Sequence, residues 1–65
     1  MDYVIVARKD GITRFVAYYG SDLSETAFLF DSGFIFYSIE RANEFCEKAK
    51  ADTAFIGWAF TVEEY

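Results

Sequence analysis

"GFIFYSIERANEFCEKAK", residues 33–50, decides the fold. It opens as a short run of aromatic and β-branched residues, the composition of a strand, and changes at Ser38 to a helical repeat. Ser38 is a good N-cap, because its hydroxyl can accept from a first-turn N–H, and Glu40 complements the positive end of the helix dipole. From Ile39 the apolar positions are 39, 42, 45, 46 and 49. They form a single stripe, as a helix lying on a sheet requires. Glu40, Arg41, Glu44, Glu47 and Lys48 point away from it, and Glu44 with Lys48 makes a favourable i,i+4 pair. Lys48 and Lys50 suit the C-terminal end, and Asp52 and Thr53 mark the exit.

Upstream, "DYVIVARK" and "ITRFVAYY" flank Asp10-Gly11. Asp-Gly between two such runs is the strongest short-range hairpin signal, since a type I′ turn needs positive φ at both central residues. Strands are predicted over 2–9 and 12–19, with Val6 facing Phe15, Val4 facing Ala17, Ile5 facing Val16 and Tyr3 facing Tyr18. "GSDLSE" (20–25) reads as a loop. "TAFLF" (26–30) and "FIFYS" (34–38) read as short strands about Asp31-Ser32-Gly33. The alternative is one bent or bulged strand. "TAFIGWAFTVEEY" returns as a strand whose alternation puts Ile56, Trp58, Phe60 and Val62 on one face and Gly57, Ala59 and Thr61 on the other. Residues 1–65 thus form a single α+β domain, a mainly antiparallel sheet of four to five short strands with one helix on one face, in the order β-β-β-(β)-α-β. The helix brings small residues (Ala42, Cys46, Ala49) to the contact, so the bulky face of the last strand is expected to meet it.

A chain of 65 residues with one cysteine has no internal disulfide, and without histidine or a Cys cluster it argues against a structural zinc site. No metal or cofactor is expected. Aromatic residues make up 22% of the chain, eight Phe, five Tyr and one Trp, so a small core is built from few large side chains. The net charge of −5 disfavours direct contact with nucleic acid or an anionic membrane surface. No apolar run approaches the length of a signal-peptide core or a membrane span. A cytoplasmic protein is the expectation.

"DSGFIFYSIERANEF" resembles a pattern frequent in short bacteriophage and prophage proteins of unassigned function. Those open with a Tyr-Val-Ile-type strand, as "DYVIV" does, and turn at a Gly- or Asn-containing hairpin, as "KDG" does. They then show a small residue, an aromatic, a Ser and a helix with early Glu and Ala and a later Phe, here Gly33, Phe36, Ser38, Glu40, Ala42 and Phe45. Where they often carry a tryptophan before the helix, this chain has Phe28 or Phe30. The resemblance implies a fold, and a location in the host cytoplasm. Some small acidic phage proteins disable restriction or CRISPR nucleases by occupying their working surfaces. The resemblance therefore implies a binding module of anti-defence type.

The residues themselves point away from catalysis. Cys46 lies on the apolar stripe and reads as a small hydrophobe, with no histidine to activate it. The pairs Asp22/Glu25 and Glu63/Glu64 sit in exposed-looking segments with nothing to shift their pKa values. Arg8, Lys9 and Arg14 cluster at the hairpin tip, where solubilising charge on strand edges explains them better than a contact for an acidic partner or a phosphate. Two surfaces are candidates for a protein partner. One is acidic: Glu40, Glu44 and Glu47 on the helix with Glu63 and Glu64 at the end of the chain, facing a partner with a basic, nucleic-acid-binding surface, although Arg41 and Lys48 interrupt the helix row and a solvated helix face accounts for it more simply. The other is apolar. Both faces of the first hairpin are apolar and one helix covers only one of them. The set Val4, Val6, Phe15 and Ala17 is expected to meet the helix, leaving Tyr3, Ile5, Val16 and Tyr18, with Phe55, as an exposed contact face. The plain alternative is that "AFLF" folds over this face; a symmetric homodimer through it, in a structural or accessory protein with no inhibitory role, is the alternative to docking on a host or phage protein.

Overall fold

The computed structural model describes residues 1–18 and 27–65. The loop expected at 20–25, with Asp22 and Glu25, and the outer ends of two predicted strands, residues 19 and 26, lie outside the described residues. Strands β1 (Tyr3–Lys9), β2 (Ile12–Tyr18) and β3 (Ala27–Phe30) precede helix α1 (Ile39–Ala51), a single 3₁₀ turn (Thr53–Phe55) and strand β4 (Ala59–Glu64). The four strands form one antiparallel sheet in the order β3-β2-β1-β4, so the last strand returns beside the first. The fold is α+β, as the periodicity requires.

The hairpin turn is set by backbone conformation. Asp10 has φ 51° and Gly11 φ 80°, the two left-handed residues of a type I′ turn. From there β1 and β2 pair from Lys9–Ile12 to Val6–Phe15 and no further. Beyond that point the strands diverge and the segment leading to the helix enters between them. Phe34 N–H donates to the Val16 carbonyl (3.1 Å), and Tyr3 and Phe36 exchange both backbone hydrogen bonds (2.8 Å each). The expected pairing of Tyr3 with Tyr18 is thus replaced by a Tyr3–Phe36 bridge, and residues 34–38 form that bridge instead of a strand. Gly33 permits the close approach: a Cβ there would stand 3.0 Å from the Phe15 Cβ.

Phe36 is 2% exposed and lies at the centre of the core, with Ile5, Val16, Ala42, Phe45 and Phe60 around it. Its ring centroid is 5.1 Å from that of Phe34 and 5.6 Å from that of Phe45. Two residues later Ser38 caps α1, its hydroxyl accepting from the Arg41 N–H at 3.3 Å. The helix buries Ala42, Phe45, Cys46 and Ala49, the small-residue stripe expected from the sequence. Of the last strand's bulky face, Phe60 is buried and Trp58 and Val62 pack against the core. Ile56 does not join them. It is 75% exposed, because the 3₁₀ turn and the turn after it carry the chain around before β4 begins.

Which hairpin face meets the helix is the reverse of the expectation. Ile5, Ala7 and Val16 line the core with the helix residues, and Val4, Val6, Phe15 and Ala17 lie on the other face. The cause is the β1–β4 register. Ile5 pairs with Val62 and Ala7 with Phe60, and directly opposed residues share a face. Once Phe60 and Val62 face the helix, the odd residues of β1 must as well.

Adjacent residues in the linking segment should therefore behave oppositely. Phe36→Ala is expected to cost about 3–5 kcal/mol, and Tyr37→Ala, at an 80% exposed position, within about 0.5 kcal/mol, measured by urea denaturation.

Candidate functional site

The apolar contact surface expected from the sequence lies on the core side of the molecule, partly buried at Tyr3, Tyr18 and Phe55. Ile5 and Val16 are fully buried. Tyr3 packs against the core cluster, and the Tyr18 ring meets Phe45 edge-on at 5.6 Å and Phe34 at 5.9 Å. Phe55 rests on Phe60 with centroids 5.8 Å apart. Burial raises the Tyr18 pKa, so its phenol stays protonated.

The opposite face carries the exposed rings. Cross-strand pairing sets Phe15 beside Phe30 and Ala17 beside Phe28, so an apolar row runs from Val4 and Val6 on β1 across β2 to the edge strand β3. Val4, Val6 and Ala17 are buried and Phe15 half-buried, but Phe28 is 37% and Phe30 52% exposed. These two rings touch each other edge-to-face at 5.8 Å. Alternation in "AFLF" explains the arrangement. Ala27 and Leu29 point into the core while Phe28 and Phe30 point out. Hydrophobicity alone could not reveal it, because every residue of the strand is apolar and either parity would look plausible.

The acidic candidates are divided. Glu40, Glu44 and Glu47 lie on the outer surface of α1. Glu63 is opposite Val4, on the sheet face away from the helix, and Glu64 is opposite Tyr3 at the end of β4. Most are engaged locally. Lys48 approaches Glu44 at 3.9 Å and Lys50 pairs with Glu47 at 2.9 Å. Arg8 binds Glu63 at 2.8 Å, and Thr61 donates to the same carboxylate. Glu40 accepts from the Ser38 hydroxyl at 2.9 Å.

The basic hairpin tip is likewise used internally. Arg8 is held by Glu63, Arg14 lies 4.0 Å from Asp31, and the Lys9 side chain runs beside Gly57. Cys46 is 4% exposed, and burial raises its pKa, so it is an unreactive thiol. Among the described residues no three Cys, Asp or Glu gather where a metal could bind, and no helix is long and apolar enough to cross a membrane.

A groove of about 350 Å³ lies where the linking segment enters α1, lined by Phe34, Ile35, Phe36, Tyr37, Ser38 and Arg41. The sequence pattern gave no sign of it, because its walls are consecutive residues that read as one strand.

Comparison with protein-family models, curated proteins and solved structures found no match.

Two carboxylates tie local structure to pH. The Glu40 backbone N–H and then Ser38 lower the Glu40 pKa below its usual 4.5, and hydrogen bonds from Arg8 and Thr61 lower that of Glu63. A pKa depressed by folding contributes stability above the unfolded value, which is lost as pH falls through the folded one. The melting temperature is expected to fall as pH drops below about 4.5, and the double variant Glu40→Gln, Glu63→Gln to flatten that decline in a thermal-melt pH series.

Proposed function

We propose that this chain is a protein-binding module that acts by docking on another protein and occluding its working surface. The observation that supports the reading is the Phe28–Phe30 pair, two neighbouring rings exposed on an uncharged edge strand. Exposed aromatic pairs on a soluble domain are characteristic of contact surfaces, and such rings lose little conformational entropy on binding. The net charge of −5 favours a partner with a basic surface through long-range attraction. The likeness to short phage proteins points to a host or phage protein as the target, a defence nuclease with a basic nucleic-acid groove among them. Occlusion needs no catalytic group on this chain.

A second reading, self-association, is favoured by the position of β3 at the end of the strand order. Two copies pairing β3 antiparallel about Leu29 would set Phe28 of each opposite Phe30 of the other. They would thereby set the two ring pairs side by side on one face and continue the sheet.

Phe28→Asp with Phe30→Asp tests the first reading. The variant is expected to keep the native circular dichroism spectrum and to lose at least tenfold in affinity for a partner captured by the native protein from host lysate. Capture that is indifferent to the two substitutions would refute docking through β3. The two readings separate by salt. Binding to a basic partner weakens as salt is added, whereas association between acidic copies strengthens and raises the mass in light scattering.

A further inference from the structure

We infer that the outer edge of β3 is a strand-addition site, where a partner pairs an extended segment of uncharged, β-branched residues with basic flanks against Ala27–Phe30. The inference rests on the docking reading and names what the partner must present.

The two edges of the sheet are not alike. β3 and β4 are its outer strands. β4 ends in Glu63 and Glu64, and charge on an edge strand discourages a further strand. β3 reads Ala-Phe-Leu-Phe, with no charge and no proline to blunt it. It has no bulge either, since its residues pair one to one with β2 from Phe15–Phe30 to Tyr18–Ala27. Among the described residues its other edge has no backbone partner. Every second residue of an antiparallel strand directs its N–H and C=O away from a given neighbour. A row of such groups is matched by main chain in an extended conformation, which a helix cannot offer because its own backbone groups are already paired.

The side chains set the composition of the added segment. Residues opposite Phe28 and Phe30 would lie on the face where those rings are 37% and 52% exposed. Aromatic and β-branched residues pair favourably across strands. Residues on the other face would lie beside Ala27 and Leu29, which are half-buried against the core. Charge at these positions would lose water against apolar neighbours, so it belongs at the ends of the segment. Its sign follows from the net charge of −5 and from exposed Asp31, the residue after β3. An acidic segment is repelled there and a basic one attracted.

The test titrates isotope-labelled native protein with a capped peptide of alternating valine and threonine that carries lysine at both ends, read by amide chemical shifts. Saturable shifts are expected at Ala27–Phe30. Two adjacent N-methyl groups at the centre of the peptide block both of its edges and keep every side chain. That form is expected to bind at least about tenfold more weakly. Glutamates in place of the lysines should weaken binding about fivefold at low salt. Absence of saturable shifts at β3, shifts centred on Ala59–Glu64, or indifference to the N-methyl groups would each overturn strand addition. Equal binding of the lysine and glutamate forms would overturn the basic flanks. A mass in light scattering that doubles with concentration while the peptide is excluded from β3 would assign the edge to a second copy instead. The variant Phe28→Asp with Phe30→Asp separates this inference from the reading beneath it. Partner capture that needs the rings, with no peptide bound at β3, refutes strand addition and spares docking. A peptide bound at β3, with partner capture indifferent to the rings, supports the strand site and refutes docking through the rings.

Discussion

The reciprocal hydrogen bonds between Tyr3 and Phe36 fix the rest of the molecule. A two-stranded hairpin on its own would pair along its whole length. Here the pairing ends at Val6 and Phe15, and the chain before the helix occupies the opening. That placement delivers the Phe36 ring to the centre of the core and starts α1 two residues later, so the helix has little freedom in where it begins. On its other edge β2 pairs with β3 over the same stretch, from Phe15–Phe30 to Tyr18–Ala27. Gly33 is the point of closest approach, and its lack of a side chain lets the segment pass Phe15.

Features encoded by neighbouring residues were legible in the sequence. Asp10-Gly11 specifies its own turn through two left-handed residues. Ser38 specifies the helix start, and the positions 42, 45, 46 and 49 specify the buried stripe. Cys46 reads as core because its neighbours on the wheel do. Features set by contacts between distant segments were not legible. Both faces of β1 are apolar, Tyr3, Ile5 and Ala7 against Val4 and Val6, so its parity was decided by Phe60 and Val62 some fifty residues away. The same ambiguity hid Phe28 and Phe30, and it directed the expected contact surface onto residues that the helix in fact covers. Phe34 and Phe36 have strand composition and one strand-like bridge, but the site they enter exists only because two other strands separate.

The charges divide into a long-range and a short-range effect. The excess of five negative charges produces a field that a basic partner would sense at a distance. Close to the surface the carboxylates are mostly matched: Glu44 and Glu47 by lysines on the same helix, Glu63 by Arg8 across β1 and β4. Such exposed pairs add little stability, yet each shortens the reach of its carboxylate. An array able to imitate a nucleic-acid backbone needs carboxylates that converge and stay unpaired, and Glu63 lies on the side of the sheet away from α1 and its glutamates. Electrostatics can therefore guide an encounter, while the close contact must be made by other groups.

In the docking reading proposed above the aromatic side chains would supply those groups, and their distribution separates buried from exposed rings. Tyr18, Phe34, Phe36 and Phe45 form a connected set of tilted and edge-on ring contacts inside the domain. Where that set nears the surface, the chain covers it with its own cations: Arg41 lies 5.1 Å and Lys48 4.5 Å from the centre of the Phe45 ring. Both cations come from the turns flanking Phe45 on the same helix, so the cover is local and inexpensive in entropy. Phe28 and Phe30 receive no such cover among the described residues and touch only each other among the rings. Phe28 and Phe30 stand beside Ala17 and Phe15 on the face where Val4 and Val6 are buried, so part of each ring covers that face and the rest is left to solvent. The exposed part of the two rings is the surface that the docking reading proposed above would use.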